Sequence, residues 1–276
     1  MPSHLVRWTS EDCLRYATSV GSGTNELHFS TENTSGVEQC VVPTMPVVLG
    51  FNRDVYSVIG PFDWSGLVHA EQVVTLHQPL PIEGAGVATT QVAAIEDKGK
   101  AAIAQFDTVV VDSASGQPLF TCATSVYIRG AGGWGGEPTQ RRRVPMPDRQ
   151  PEAVVTFDTR PEQALLYRLN GDRNPLHSDP GFARRAGFDR PILHGLCTFG
   201  FAARAVLGVC DPFGARLKQI STRFAAPVYP GQQLHTRIWR EAAADDRVLF
   251  ETVTSDGVTV LSDGQCVFDR ADEDAV

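Results

Sequence analysis

The segments EQVVTLHQPLPIEG (residues 71–84) and KQISTRFAAPVYPG (residues 218–231) repeat one pattern in the two halves of the chain. Each segment mixes β-branched and polar residues, passes through two prolines and ends on a glycine. A repeated order of elements is the signature of a duplicated unit. The pattern therefore predicts a chain built from two related halves.

Each repeat is followed by three long segments in which apolar and polar residues alternate. They span residues 86–99, 101–116 and 118–130 in the first half, and residues 232–242, 247–257 and 258–270 in the second. Alternation over such lengths, broken by turns such as SASG and SDG, indicates antiparallel strands with one buried face. Each half is thus expected to contain an antiparallel meander.

Helical patterns accompany both meanders. Thr9 and Thr159 each precede a helical pattern, and the acidic residues Asp12 and Glu162 three positions on predict N-terminal capping boxes. Residues 191–208 (PILHGLCTFGFAARAVLG) place apolar side chains at helical spacing, which predicts the helix that fills the concave face of the second sheet. Residues 44–54 (TMPVVLGFNRD) are a much weaker counterpart in the first half.

These elements predict an α+β fold in which a curved antiparallel sheet wraps round one helix, made twice, with the two sheets joined edge to edge. Residues 129–153 are rich in glycine, proline and charge and lack periodicity, which is typical of a linker. We therefore divide the chain into a first half (residues 1–130), a linker (131–152) and a second half (153–276).

Composition narrows the class of partner. The net charge is −8, and the chain has no basic stripe beyond Arg141, Arg142 and Arg143, which argues against a nucleic-acid or anionic-membrane surface. The expected partner is a small molecule or another protein. Six scattered cysteines without C-x-x-C spacing, and an opening without a signal-peptide pattern, lead us to expect reduced thiols in a cytoplasm. No run of about 18 apolar residues occurs, so we expect no membrane span.

The polar run YRLNGDRNPLHSD (residues 167–179) contains the candidate catalytic residues. A carboxylate and an imidazole five residues apart, Asp172 and His177, can converge on one water molecule, as base-assisted addition of water requires. Asn174 before Pro175 suits a tight turn, and Gly195, at a predicted helix start, offers a free N–H that suits an oxyanion. The alternative is structural, because such polar residues often cap helices or close turns.

A metal site is the other chemical alternative in this region. His177, Asp179, His194 and Cys197 supply ligand types, yet their spacing matches no compact metal pattern, and Cys197 fits a buried helix. We therefore expect no metal.

Residues 167–207 (YRLNGDRNPLHSDPGFARRAGFDRPILHGLCTFGFAARAVL) closely resemble the hydratase motif of the MaoC-like family, in particular its (R)-specific 2-enoyl-CoA hydratases of type 2. The resemblance extends to LVHAEQ, HQPLP, GGWGG and RFAAPVYPG, so it covers nearly the whole chain. It implies a double hot-dog fold, which agrees with the repeat.

The resemblance also implies roles for individual residues. The catalytic pair falls on Asp172 and His177, and the backbone donor to the oxyanion falls on Gly195. Implied substrate contacts are His69, Ala70, Lys98, Arg173, Asn174, Pro175, Leu176 and Phe224, with Glu32 where the family has a functionally important glutamate. The family's His-Gly-Glu is His69-Ala70-Glu71 here, which adds a methyl group. The first half has GSGTNELHFS instead of the D-x-N-P-x-H loop, so we expect it to accommodate the acyl chain rather than catalyse.

The implied activity is reversible addition of water to a trans-2-enoyl-CoA, in fatty acid or sterol side-chain metabolism, with no cofactor beyond the coenzyme A of the substrate. A homodimer is expected. Lys98, Arg184 and Arg185 are candidate phosphate contacts, or simply solvated charges. Two alternatives remain open: an acyl-CoA thioesterase, in which the water attacks the carbonyl, and a non-catalytic subunit that binds acyl-CoA.

Overall fold

The computed structural model describes residues 3–50, 53–135, 143–241 and 246–269. Within these ranges ten strands form one antiparallel sheet: β1 (Ser3–Trp8), β2 (Leu67–Leu76), β3 (Gly84–Asp97), β4 (Ala101–Asp112), β5 (Pro118–Arg129), β6 (Ala153–Asp158), β7 (Leu217–Phe224), β8 (Gln233–Arg240), β9 (Arg247–Thr254) and β10 (Thr259–Phe268). The helices are α1 (Ser10–Ser19), α2 (Leu27–Ser30), α3 (Pro46–Leu49), α4 (Gln163–Tyr167), α5 (Pro180–Arg185) and α6 (Gly195–Cys210). The predicted α+β class is confirmed.

The strand order is the same in both halves when each is read inward from its edge. It runs β1-β3-β4-β5-β2 and then β7-β10-β9-β8-β6, so the two repeated segments of the sequence meet at the centre of the sheet. There Glu71 lies opposite Arg223 and Thr75 lies opposite Gln219. The predicted edge-to-edge junction of two sheets is therefore confirmed. It removes two edges that would otherwise be open to pairing with other chains.

The second half wraps round α6, a sixteen-residue helix that is buried from Leu196 to Leu207. The helix packs against β6, β7 and β8, and it also contacts the end of α1. The contact with α1 depends on Gly200, because a Cβ there would lie 2.5 Å from Val20 Cγ1. Glycine at this position lets the first half touch the central helix of the second.

The described residues of the first half form no comparable central helix, so the expectation of a helix in both sheets is corrected. Residues 46–49 form only the single turn α3, which begins at Pro46 and ends at Gly50, and a 3₁₀ segment, Arg53–Ile59, follows. Three apolar residues between a proline and a glycine are too few to build a central helix. Aromatic side chains cover the sheet instead, with Tyr56 in edge contact with Phe106 at 5.1 Å and with Trp64 at 5.7 Å.

The two predicted capping boxes have different outcomes. Thr9 and Asp12 form both reciprocal bonds of a capping box at the start of α1. Thr159 caps no helix, because its hydroxyl donates to Gln232 O, 2.7 Å away, and α4 begins later, with Glu162 at its N-cap. The Thr159 prediction is therefore wrong. Binding to the β7–β8 connection competes with capping for the same hydroxyl.

The end of α1 is built into the second half. Gln163 Nε2 donates to Ser19 O at 2.7 Å, and Asn170 Nδ2 donates to Ser19 Oγ at 2.7 Å. The buried Arg204 of α6 donates to Val20 O at 2.9 Å and forms an ion pair with Glu26. Polar groups of both halves thus satisfy each other in a buried region.

The predicted linker is partly packed against the second half. Val144 N–H donates to Asp263 Oδ1 at 3.2 Å, and Trp239 Nε1 donates to Arg149 O at 2.9 Å. Residues 136–142 of the linker, with Arg141 and Arg142, lie outside the described residues. Within the described ranges, the helices are all too short or too polar to cross a membrane.

Candidate active site

A cavity of about 440 Å³ lies between the loop that follows α4 and the start of α6, and both halves contribute to its walls. The first half supplies Tyr56, Trp64, Leu67, Val68 and His69. The second half supplies Gly171–Asn174, Leu176, His177, Phe188, Ile192–Leu196, Thr198, Phe224–Val228, Val260 and Leu261. A mostly apolar wall with a few convergent polar groups is the usual form of a small-molecule site.

Two short turns shape the loop that carries the polar run. Gly171, with a φ of 116°, ends the 3₁₀ turn Arg168–Asn170 in a conformation that a side chain would disfavour. Asp172 Oδ1 then accepts the Asn174 N–H at 3.1 Å, and Asn174 Oδ1 accepts the Leu176 N–H at 3.1 Å. These side-chain turns explain why Asp and Asn occur at a spacing of two. They hold the Asp172 carboxylate at the cavity wall.

His177 is buried with one ring nitrogen tied to the backbone. Its Nδ1 lies 2.9 Å from Ile192 O. Because a carbonyl oxygen can only accept, Nδ1 carries the hydrogen, and the neutral ring leaves the lone pair on Nε2. Burial lowers the pKa of His177, while the nearby Asp172 charge and the Ile192 carbonyl act in the opposite direction. The residue is therefore a neutral base at neutral pH, with a fixed tautomer.

Asp172 and His177 are spaced for a shared water molecule. A carboxylate oxygen of Asp172 and a ring nitrogen of His177 lie within 4.8 Å of each other. Two hydrogen bonds of about 2.8 Å that meet at a tetrahedral water span about 4.6 Å. The arrangement can thus bind one water to both side chains and remove its proton.

Gly195 is the first residue of α6 and borders the same cavity. Its N–H belongs to the first turn, where backbone donors have no partner within the helix, and the positive end of the helix dipole favours negative charge. Phe224 lies directly against it, since a Cβ on Gly195 would be 3.0 Å from Phe224 Cδ1. The glycine therefore lets the Phe224 ring pack directly against the start of α6, beside this N–H.

A β-bulge directs His69 into the cavity. Opposite β5, His69 pairs with Val126 and Glu71 pairs with Ser125, so Ala70 is an extra residue in β2. Bulges often redirect side chains beside active sites. The His69 ring lies 5.9 Å from that of Phe224, and burial lowers the pKa of His69. A neutral imidazole from the first half therefore faces the loop of Asp172 and His177.

Within the described chain, Asp172, His177 and His194 form a cluster of potential metal ligands. Each residue offers one ligand atom, and these atoms lie within 4.8 Å of one another. The two imidazoles are stacked, with centroids 3.6 Å apart and planes 25° apart. One nitrogen of each ring faces a backbone carbonyl, with His177 Nδ1 2.9 Å from Ile192 O and His194 Nε2 3.3 Å from Asp172 O. This leaves one nitrogen on each ring for a proton or another ligand.

Comparison with known families classifies this chain. Residues 142–261 match the family model of the MaoC like domain, and residues 7–130 match that of the MFE-2 hydratase 2 N-terminal domain. The chain belongs to the MaoC-like hydratase 2 family. This confirms the resemblance that the polar run and the flanking motifs indicated.

Relatives and solved structures agree with this family. The chain is 43% identical over 268 residues to the 3-hydroxyacyl-thioester dehydratase Y of Mycobacterium tuberculosis, covering 94% of this chain and 92% of that protein. It is 37% identical over 283 residues to the peroxisomal enoyl-CoA hydratase 2 of Arabidopsis thaliana, covering 95% and 91%. The structure of a MaoC-like dehydratase from Phytophthora capsici superposes with a TM-score of 0.87 at 32% identity, covering 98% and 95%.

The double hot-dog fold is confirmed by a more distant structure. A protein of Mycobacterium tuberculosis described as having a double hotdog fold superposes with a TM-score of 0.60 at 14% identity, covering 96% of this chain and 93% of that one.

The structure of this family member brings together most of the residues that its sequence predicts. Residues at the cavity wall are Asp172, His177, Gly195, His69, Arg173, Asn174, Leu176 and Phe224. Four others do not line it: Ala70, Pro175, Lys98 and Glu32. Lys98 forms an ion pair with Glu96 at 2.6 Å, and Glu32 is exposed. The individual roles of all these residues stay predictions.

Some cavity residues are beyond sequence reasoning. Tyr56 and Trp64 enter the wall from the 3₁₀ region of the first half, whose sequence RDVYSVIGPFDWSG has no regular period. Thr198 lies on α6 among apolar residues and looks like part of the core. His194, by contrast, did carry a signal, because it precedes Gly195 in the hydratase motif.

Proposed function

We propose that this protein is an (R)-specific 2-enoyl-CoA hydratase that adds water reversibly to a trans-2-enoyl-CoA, and in the opposite direction dehydrates a 3-hydroxyacyl-CoA. One observation carries the proposal: the Asp172–His177 pair and the Gly195 N–H open into the same cavity. Hydration of a conjugated thioester needs both an acid/base pair and an oxyanion donor. Relatives named enoyl-CoA hydratase 2 and 3-hydroxyacyl-thioester dehydratase support this reading.

Polarisation of the thioester is the first requirement. The substrate carbonyl oxygen accepts the Gly195 N–H, and the negative charge that develops on this oxygen as an enolate forms is stabilised by that donor and by the helix dipole. The neighbouring Phe224 ring excludes water from the carbonyl. Electron demand rises at C3, which makes it open to attack by water.

Water is then activated by the loop. It binds between Asp172 and the free Nε2 of His177, gives up a proton and forms the C3–O bond. The C2=C3 electron pair moves towards the thioester, and C2 receives a proton, so that one molecule of water is consumed. We assign Asp172 as the principal acid/base and His177 as the group that orients the water and shares its proton. Both groups lie on one face of the substrate, which gives syn addition.

The two halves divide the work in this proposal. The second half contributes the acid/base pair. The first half, whose described residues form no central helix, makes room for the acyl chain. Tyr56, Trp64 and Leu67 form apolar wall on that side of the cavity. Because this chemistry is general acid/base catalysis, it requires no resident metal or organic cofactor.

We further propose a homodimer in a reducing cytoplasm. In the described chain, β3 pairs with β1 only as far as Thr89, and Val92 and Ile95 beyond that point are exposed. A second copy of such an edge is a suitable partner. All six cysteines are free thiols, which suits a reducing compartment.

The test is the pair of variants Asp172→Asn and His177→Ala, assayed by loss of the conjugated-thioester absorbance over a panel of enoyl-CoA esters. Each should lower kcat by roughly a hundredfold or more, the usual scale for a positioned acid/base, with an unchanged circular dichroism spectrum. Near-native turnover of either variant contradicts the assigned pair. Chiral chromatography of the product checks the stereochemistry, and predominantly (S) product contradicts the proposal.

A thiol reagent in the same reactions distinguishes the rival activities. Release of free CoA by the wild-type protein, without loss of the double bond in the acyl product, indicates a thioesterase. Binding of acyl-CoA without either reaction indicates a non-catalytic subunit.

A further inference from the structure

His194 is a buried residue that touches each part of the catalytic centre, yet the mechanism above gives it no step. Its side chain is 1% exposed. Its Nε2 lies 3.3 Å from the backbone oxygen of Asp172, which can only accept, so Nε2 carries the hydrogen. Its ring stacks on His177 at 3.6 Å, and its backbone is the N-cap that precedes Gly195.

The protonation state of His194 excludes a role as a charged acid. Burial, and then the neighbouring His177, hold the pKa of His194 well below its usual range. The neutral ring keeps a lone pair on Nδ1, and within the described chain this buried atom has no hydrogen-bond partner. A buried polar atom without a partner costs free energy that an apolar ring would avoid. The contacts that define the position of the ring are the N–H that faces Asp172 O and the stack on His177.

We propose that His194 is a positioning residue that holds the acid/base pair, Asp172 and His177, at a fixed place relative to the Gly195 N–H. The N–H of His194 holds the Asp172 backbone, and its ring plane sets the plane of the His177 ring. This inference deepens the proposed hydratase function and rests on it.

The loop needs such support because no strand or long helix carries it. Asp172 follows a left-handed glycine and precedes a 3₁₀ turn, so its position depends on local turns and on contacts with other elements. The start of α6 is rigid by comparison, since the helix is buried along most of its length. His194 transfers that rigidity to the loop. A misplacement of about 1 Å at a catalytic group can cost about a hundredfold in rate.

Two substitutions separate the two contacts. His194→Phe keeps a ring that can stack on His177 and removes the donor to Asp172. His194→Gln keeps a donor at the position of Nε2 and removes the stack. Each should lower kcat between about tenfold and a hundredfold and change KM by less than about threefold. His77→Gln is the matched control, because His77 is exposed and its side chain bonds Thr121 outside the cavity. This variant should keep wild-type values.

The pH profile of kcat distinguishes positioning from a general structural role. The groups that face His177 are Asp172 on the loop, His69 on β2 and His194 itself, with Arg168 facing His194. Loss of the stack in His194→Gln admits water to the His177 ring, so its pKa rises and the acid limb of kcat moves to higher pH. In His194→Phe the ring stays buried and the acid limb stays in place. A merely structural role would leave both profiles unchanged.

The His177 pKa is also measured directly by NMR of ring-labelled protein, which does not require activity or a known substrate. A rise in His194→Gln but not in His194→Phe supports the stack, and equal values in both overturn it. Wild-type kcat in His194→Phe overturns the role of the N–H donor. If the wild-type protein hydrates no enoyl-CoA, the hydratase function fails, and the NMR result still decides whether His194 fixes His177. If the Gln variant does not fold, kcat of the Phe variant decides the donor contact alone.

Discussion

Substitution of Gly195 by alanine tests the geometry between the oxyanion donor and the cavity wall. The new Cβ would lie 3.0 Å from Cδ1 and 3.1 Å from Cε1 of Phe224. Contacts between carbon atoms are favourable at about 3.5–4.0 Å, so the ring must retreat by about 0.5 Å or the helix start must shift by a similar distance. The N–H itself remains. On the scale of about a hundredfold for 1 Å, we expect kcat to fall by about tenfold, or about 1.4 kcal/mol.

A double-mutant cycle with Phe224→Leu identifies the cause. Leucine removes the ring atoms that the methyl group would meet, so the Gly195→Ala substitution should cost less than half as much in the Phe224→Leu background. Gly208→Ala is the control on the same helix: no atom lies within 4 Å of its Cβ position, and alanine should stabilise the exposed site by up to about 1 kcal/mol without changing kcat. Equal losses for Gly195→Ala in both backgrounds would refute the steric argument.

Three further predictions concern pH, packing and the asymmetry of the halves. Because burial lowers the pKa of His177 and His194, the unfolded chain binds more protons than the folded one below the ordinary histidine value. The urea concentration at the midpoint of unfolding should therefore be highest above about pH 6.5 and fall towards pH 5. The fall should be less steep in His194→Phe. A midpoint that rises towards pH 5 contradicts this prediction. Gly200→Ala should destabilise by about 1–3 kcal/mol in urea unfolding, because its methyl group meets Val20, and an unchanged midpoint would show that α1 and α6 can separate freely. His28→Ala should keep wild-type kcat, since its Nε2 bonds Pro212 O at 2.9 Å outside the cavity, and loss of hydration would mean that the catalytic half is assigned wrongly.

Strands were easier to predict from this sequence than helices. The period of two marks the long strands β3, β4, β5, β8, β9 and β10, and the repeated segment at residues 71–84 and 218–231 marks the central junction. The strands β1 and β6 were missed, because six residues ahead of a threonine give too little pattern. Both lie at the outer edges of the sheet.

The helices show where local signals compete with distant contacts. Thr9 and Thr159 present the same capping pattern, yet only Thr9 caps, because the hydroxyl of Thr159 binds Gln232 some 73 residues along the chain. Likewise, the apolar run at residues 45–49 looks like a weak helix, and only the structure shows that aromatic side chains take its place. Local helix propensity predicts neither the bond between Thr159 and Gln232 nor the packing of these aromatic side chains.

The candidate site likewise contains residues that a local sequence pattern predicts and residues that only the folded chain brings together. Asp172, Asn174 and His177 lie within six residues, so their convergence could be predicted from a single loop. The Ile192 carbonyl that sets the tautomer of His177, and the wall residues Tyr56 and Trp64, come from other parts of the chain. These residues reach the site only when the sheet is folded, so no local sequence pattern predicts their place in it.

The polar contacts at the end of α1 limit how this chain can be divided into independently folding fragments. Ser19 and Val20 provide acceptors for Gln163, Asn170 and Arg204 of the other half. A fragment that begins after the linker would remove these acceptors from the buried donors of Gln163 and Arg204 and would leave α6 without its cover. The half that carries the acid/base pair is therefore unsuited to expression as an independent module. Engineering by exchange of halves between relatives has to transplant residues 10–26 together with the second half.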